Sequence, residues 1–266
     1  MRRLATHTAF LVATFLVQGA PGSAQAAPAL TDRATEVPFV SGPRGHLLVD
    51  VALNGREPVR FALDTGAGRT VVNEARLADL GLMRRFSTDT VQGAHERSAM
   101  GLTDVGALSI GDIALGALEL ATMDLTHVEG DDMTLFGVLG FDVLSRFDLI
   151  LDFEDNTVLF HPRAESLDGC AVCQGEISVP FDLVAGTHIR TEVSISDQPI
   201  AAILDTGSGR TGMNLLAAAA IGVELPATPP TGHAPALRVG EIGLGGGVLA
   251  RQVVVGVVDL PVFEAL

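Results

Sequence analysis

Apolar and polar positions along this chain alternate in short runs, and most runs end at a glycine or asparagine turn. LLVDVALNGREPVRFAL (Leu47 to Leu63) reads as two strands about the turn Asn54-Gly55-Arg56-Glu57-Pro58. VSISDQPIAAIL (Val193 to Leu204) repeats that arrangement about Ser196-Asp197-Gln198-Pro199. NEARLADLG, beginning at Asn73, and NLLAAAAIG, beginning at Asn214, each predict a short helix with an asparagine cap, stopped by Gly81 and Gly222. VGALSIGDIALGALEL (Val105 to Leu120) and VGEIGLGGGVLARQVVV (Val239 to Val255) each read as strand, glycine turn and strand. GVLGFDVLSRFDLILDFEDNTVLF (Gly137 to Phe160) predicts an apolar pair closed by Gly140, a helical turn over Asp142 to Ser145, and a strand over Phe147 to Phe153. The turn Glu154-Asp155-Asn156 and a last short strand complete it.

Set side by side, these segments form two series with a period of about 140 residues, too long for a solenoid and the size of a duplicated domain. The strongest repeat is LDTGAGRT (Leu63 to Thr70) against LDTGSGRT (Leu204 to Thr211), which differ only at Ala67 and Ser208. Two lobes are therefore expected, over 37–163 and 177–266, joined by a linker over 164–176. The correspondence runs through Asp124 and Asp259, and the second lobe has no counterpart of Gly137 to Phe160. It reads as incomplete, with three explanations open. The sequence is a truncated reading of a longer protein, or two first lobes pair in a homodimer through Asp64, or the second lobe has degenerated and leaves a binding protein.

Composition narrows the class. Hydrophobic residues make up 47% and charged residues 18%, which suits a buried core and excludes disorder. Thirty Gly, thirteen Pro and abundant branched aliphatics favour strands and tight turns, and the net charge of −15 argues against a nucleic-acid binder. Arg2 and Arg3, the apolar run Ala9 to Val17 and the small-x-small site Ala24-Gln25-Ala26 read as a signal peptide over 1–26, so the protein is expected to be exported, periplasmic or extracellular. No membrane span is expected in the mature chain, since no later stretch reaches the ~20 apolar residues required. Cys170 and Cys173, in the linker of an exported chain, read as a local disulfide. Neither a zinc set nor a thioredoxin-like context accompanies them.

Asp-Thr-Gly after an apolar strand puts a carboxylate at a strand end, with a glycine for the turn back and a threonine hydroxyl beside it. Two such loops in matched settings predict that Asp64 and Asp205 meet. Like charges raise one ionisation, so such a pair shares one proton: one member takes a proton from water while the other polarises a carbonyl. The Asp64-Thr65-Gly66-Ala67 and Asp205-Thr206-Gly207-Ser208 motifs, with Val138-Leu139-Gly140, resemble aspartic proteases of the pepsin/retropepsin superfamily over most of residues 37–266.

That resemblance implies an all-β, two-lobed architecture of β-barrels with a short helix after each DTG loop. It implies Asp64 and Asp205 as the dyad, Thr65 and Thr206 bonding across the interface, and Val138-Leu139-Gly140 buttressing the first loop. A flap over the cleft is expected around Gly93, Ala94 and His95; the tyrosine of pepsin-like flaps is absent, as in the retroviral pattern. Ser208 is expected to donate a hydrogen bond that favours ionised Asp205. The expected activity is endopeptidase cleavage of a peptide or unfolded protein, by a monomer or homodimer, without cofactor or metal. A catalytically silent peptide-binding protein of the cell envelope is the alternative from another class. His95 and His233 fall in the corresponding turns of the two lobes and read as solvated. Glu129-Gly130-Asp131-Asp132 reads as a hydrated acidic loop, since its spacing fits no EF-hand. Gly243 to Gly247 lacks the form of a nucleotide loop, and HExxH and GxSxG are missing.

Overall fold

A computed structural model of the chain describes residues 8–10, 34–92, 97–130, 133–163, 177–223 and 235–258. The first lobe opens with β2 (Thr35–Ser41), β3 (Leu47–Leu53), β4 (Val59–Leu63) and β5 (Val71–Asn73), after β1 (Thr8–Phe10) near the N-terminus. It continues with β6 (Arg85–Gln92), β7 (Arg97–Val105), β8 (Leu108–Ile110), β9 (Ile113–Leu115) and β10 (Leu118–Met123). It closes with β11 (Gly137–Leu139), helix α1 (Phe141–Leu144), β12 (Phe147–Asp152) and β13 (Thr157–Pro162). The second lobe contains β14 (Asp182–Val184), β15 (His188–Ile195), β16 (Gln198–Ile203), β17 (Thr211–Met213), α2 (Leu215–Ala220), β18 (Ala236–Gly245) and β19 (Val248–Val257). The architecture is all-β with two short α-helices among the described residues, as the resemblance implied.

The turn chemistry explains the hairpins. Asn54 and Gly55 (φ 54° and 69°) link β3 to β4, and Ser196 and Asp197 (φ 51° and 59°) link β15 to β16, the left-handed pairs that match strand twist. Each lobe then closes on its own core. Val49, Val51, Phe61, Leu108, Ile110 and Phe160 lie at the centre of the first, and Val193, Ile200, Met213, Ala218 and Val255 in the second. Phe141 of α1 packs with Ile189 and Leu204 to form a small core shared by the two lobes.

Two expectations change in detail. The helix expected from Asn73 to Gly81 is a single 3-10 turn, Glu74–Arg76, followed by further turns. Leu77 and Leu80, three residues apart, are both buried, which suits that tighter winding, and Gly81 stops it at φ 64°. In the second lobe the counterpart is a true helix, α2, where Asn214 Oδ1 accepts the Ala217 N–H at 2.8 Å. The strand–turn–strand repeats also differ: β8 and β9 form a separate small hairpin in the first lobe, whereas β18 and β19 run on as one long bulged hairpin. β18 nevertheless pairs with β15 as β8 pairs with β3.

The two sheets each have a short strand at the corresponding place beside the DTG loop. In the first lobe, β11 lies parallel to β4 and antiparallel to β5, with Val138 opposite both Ala62 and Val71. In the second, the position between β16 and β17 is taken by β1, parallel to β16 and antiparallel to β17, with Ala9 opposite both Ala202 and Met213. A segment from the other end of the chain, within the stretch read as leader, thus lies where an apolar-apolar-Gly strand lies in the first lobe. Removing residues 1–26 should leave β16 and β17 with unpaired edges. Amide exchange at Ala201, Ala202, Ile203 and Met213 should then rise while Ala62 and Val71 stay protected; equal protection in both lobes would contradict the pairing.

Candidate active site

The two DTG loops meet through their threonines. The Thr65 hydroxyl donates to the Leu204 carbonyl (2.9 Å) and accepts the Thr206 N–H (3.1 Å). The Thr206 hydroxyl donates to the Leu63 carbonyl (2.8 Å) and accepts the Thr65 N–H (3.0 Å). Both residues are buried, so each hydroxyl is a full donor and acceptor in a place water does not reach. The bonds tie the end of β4 to the end of β16 and set the two aspartates side by side.

Gly66 and Gly207 have a different role from the turn flexibility that the motif suggests, since neither adopts a positive φ. A Cβ on Gly66 would sit 2.6 Å from Asp205 Oδ1, and one on Gly207 would overlap the Asp64 carboxylate. Each motif glycine makes room for the other lobe's carboxylate. Two further contacts repeat across the interface: Gly209 lies against the Gly45 turn of the first lobe, and Gly68 against Thr187 of the second.

The carboxylates are held unequally. Asp64 Oδ1 accepts the N–H groups of Gly66 (2.8 Å) and Ala67 (2.9 Å). Asp205 Oδ1 accepts the Gly207 N–H (2.8 Å), while the Ser208 N–H turns to the Asp205 backbone carbonyl (3.3 Å). Asp64 keeps part of its surface open to the cleft, but its carboxyl lies deep among protein atoms. Burial holds its pKa well above the ordinary 3.8, and the charge of Asp205 and a hydrogen bond shared with it push the same way. The Ala67 and Gly66 N–H bonds oppose this. On balance these causes favour the protonated form of Asp64.

The expected Ser208 bond to Asp205 is not made: its hydroxyl donates to the Arg210 carbonyl at 2.7 Å. A serine hydroxyl readily bonds a backbone carbonyl two residues on, and that local bond is the one made here.

Val138-Leu139-Gly140 does support the first loop. Leu139 O accepts the Asp64 N–H at 3.0 Å, and the Phe141 N–H donates to Ala67 O at 2.7 Å. Gly140 passes so close to Arg69 and Thr70 that a side chain there would overlap their backbone. Sequence reading missed Asp142, whose Oδ1 accepts the N–H (2.8 Å) and hydroxyl (2.7 Å) of Thr70. The available signal was an acid two residues after the buttress glycine, opposite a threonine repeated in both motifs.

β6 and β7 form the hairpin at the flap position, paired up to Gln92 opposite Arg97. Its tip, including Gly93, Ala94 and His95, lies outside the described residues, as do Cys170, Cys173 and His233. In the acidic loop, Glu129 is taken up by Arg76 (2.9 Å) and by the Leu135 N–H (3.0 Å). Among the described residues no cluster of metal-ligating side chains forms.

A family model described as "Aspartyl protease" matches residues 49–143, the part of the first lobe that holds Asp64 and its buttress. The UBA domain-containing protein Mud1 of Schizosaccharomyces pombe is 29% identical over 129 residues, 47% of this chain. The match spans 36% of that protein's length. Among solved structures, a retropepsin-like aspartic protease from Rickettsia conorii is similar over 50% of this chain and 95% of its own, at 16% identity and a TM-score of 0.34.

Two outcomes follow from the geometry. Thr206→Val removes a hydroxyl that serves two buried partners, and should cost about 2 to 5 kcal/mol in denaturant unfolding. Ser208→Ala should leave the titration of the dyad where it was, because the lost bond goes to Arg210; a displaced carboxyl titration would restore the direct contact.

Proposed function

We propose that this chain, an aspartic protease of the pepsin/retropepsin type, is an endopeptidase whose one active site is built from Asp64 and Asp205 of the same molecule. The observation carrying this reading is the reciprocal threonine bonding, which pairs the two carboxylates within one chain. On this reading water lies between the carboxyls. Ionised Asp205 accepts a proton from the water as its oxygen bonds to the scissile carbonyl carbon, and protonated Asp64 donates to the carbonyl oxygen. The tetrahedral species collapses with a proton passing to the amide nitrogen, the C–N bond breaks, and acid and amine leave. Neither metal nor covalent intermediate is required by these steps.

The substrate is a peptide or unfolded protein laid extended across the cleft beneath the β6–β7 hairpin, and the protein acts after export. The in-chain pairing favours a monomer over a homodimer that would use Asp64 twice. The silent peptide-binding reading is separated by experiment: the wild type should cleave an unfolded protein and Asp64→Asn should bind it without cleavage. A folded wild type that binds but never cleaves would overturn the enzyme reading.

The raised Asp64 pKa also bears on stability. The folded state holds a proton that the unfolded state releases as pH rises above 3.8, so folding stability falls as pH climbs through the window up to the folded pKa. Asp64→Asn removes that group. Its unfolding midpoint should lose this component of the pH dependence and exceed the wild type's above the window. A stability difference, wild type minus Asp64→Asn, that rises through the same window would contradict the raised Asp64 pKa.

A further inference from the structure

The two DTG loops have nearly the same sequence, yet Asp64 receives two N–H bonds at Oδ1 and Asp205 receives one. The difference lies at the residue after the glycine. The Ala67 N–H reaches the Asp64 carboxylate, while the Ser208 N–H falls back on the Asp205 carbonyl. What distinguishes the settings is the far end of each loop.

In the first lobe a single oxygen, Asp142 Oδ1, gathers the Thr70 N–H (2.8 Å), the Thr70 hydroxyl (2.7 Å) and the Val143 N–H (2.9 Å). Thr70 is wholly buried, and its hydroxyl also accepts the Gly140 N–H at 3.1 Å. The Phe141 N–H then holds the Ala67 carbonyl at 2.7 Å. The loop is thus fixed at Asp64, Ala67 and Thr70 by one rigid segment. In the second lobe Thr211 stands where Thr70 stands, and among the described residues no carboxylate bonds it.

We infer that Asp142 is a positioning residue for Asp64: by anchoring Thr70 it fixes the loop so that the Ala67 N–H points at the carboxylate. Its effect on catalysis rests on the dyad reading above; its effect on the loop does not. The titratable group facing Asp64 is Asp205, and the anchored loop presents only backbone N–H groups to Asp64 Oδ1.

The test compares the full chain with Asp142→Ala and Asp142→Asn. Asparagine keeps the accepting oxygen, and alanine removes it. Carboxyl-carbon NMR titration should show the upper apparent pKa of the dyad moving up in Asp142→Ala, where a bond favouring ionised Asp64 is lost, and returning toward wild type in Asp142→Asn. With a peptide substrate, kcat should fall roughly 10- to 100-fold in the alanine variant with KM little changed, and asparagine should restore most of it. Should the wild type cleave nothing, the enzyme reading fails while the titration still decides the positioning role. An unmoved titration in folded Asp142→Ala, or an asparagine variant that behaves as the alanine one, overturns the inference. If alanine prevents folding, Asp142→Asn alone decides: a dyad titration displaced from wild type despite the retained acceptor overturns it.

Discussion

Everything at this site depends on two threonine hydroxyls buried between the lobes. Each donates to a carbonyl at the strand end of the other lobe and accepts the other threonine's N–H, so neither loop can move without leaving polar groups unpaired in a dry interface. Hydrophobic contact among Phe141, Ile189 and Leu204 holds the lobes together but is tolerant of sliding. The threonine bonds are directional and fix the register. Glycines at 66 and 207 then let each carboxylate approach the opposite loop. On the proposed reading, repulsion between like charges, ordinarily a cost, becomes the source of an acid and a base from two identical side chains.

The near-symmetry of the loops conceals an asymmetry in their support. The first loop rests on β11 and α1, which follow it in the same lobe. The second lies beside a three-residue strand drawn from residues 8–10. The number of N–H donors on each carboxylate follows this difference. The preference for the proton on Asp64 does not, because those N–H bonds favour its ionised form and burial outweighs them. The structural asymmetry accompanies what lies behind the loops, for the motifs themselves differ only at Ala67 and Ser208.

Much of this was legible in the sequence because duplication supplied an internal standard. The turns at Asn54 and Ser196, the caps at Asn73 and Asn214, and the stops at Gly81 and Gly222 are set by local backbone chemistry and could be read residue by residue. The threonine lock was legible only through resemblance, since its partners lie 141 residues apart. Three things were hidden. The role of Gly66 and Gly207 is steric clearance for the opposite lobe, which no local pattern encodes. The Ser208 hydroxyl bonds the Arg210 carbonyl two residues on, a local backbone acceptor that the motif alone does not distinguish from the carboxylate. Asp142 looked like an ordinary helix-start acid until the fold placed Thr70 beside it.

The central claim is that one chain makes one complete dyad. Isothermal titration with a peptide whose scissile amide is replaced by a hydroxyl-bearing carbon counts sites directly, because on the proposed reading that hydroxyl would take the place of the attacking water. The account predicts one inhibitor bound per chain, with affinity weakened in Asp205→Asn as well as in Asp64→Asn. One inhibitor per two chains, with Asp205→Asn indifferent, would contradict it and assign the site to paired first lobes.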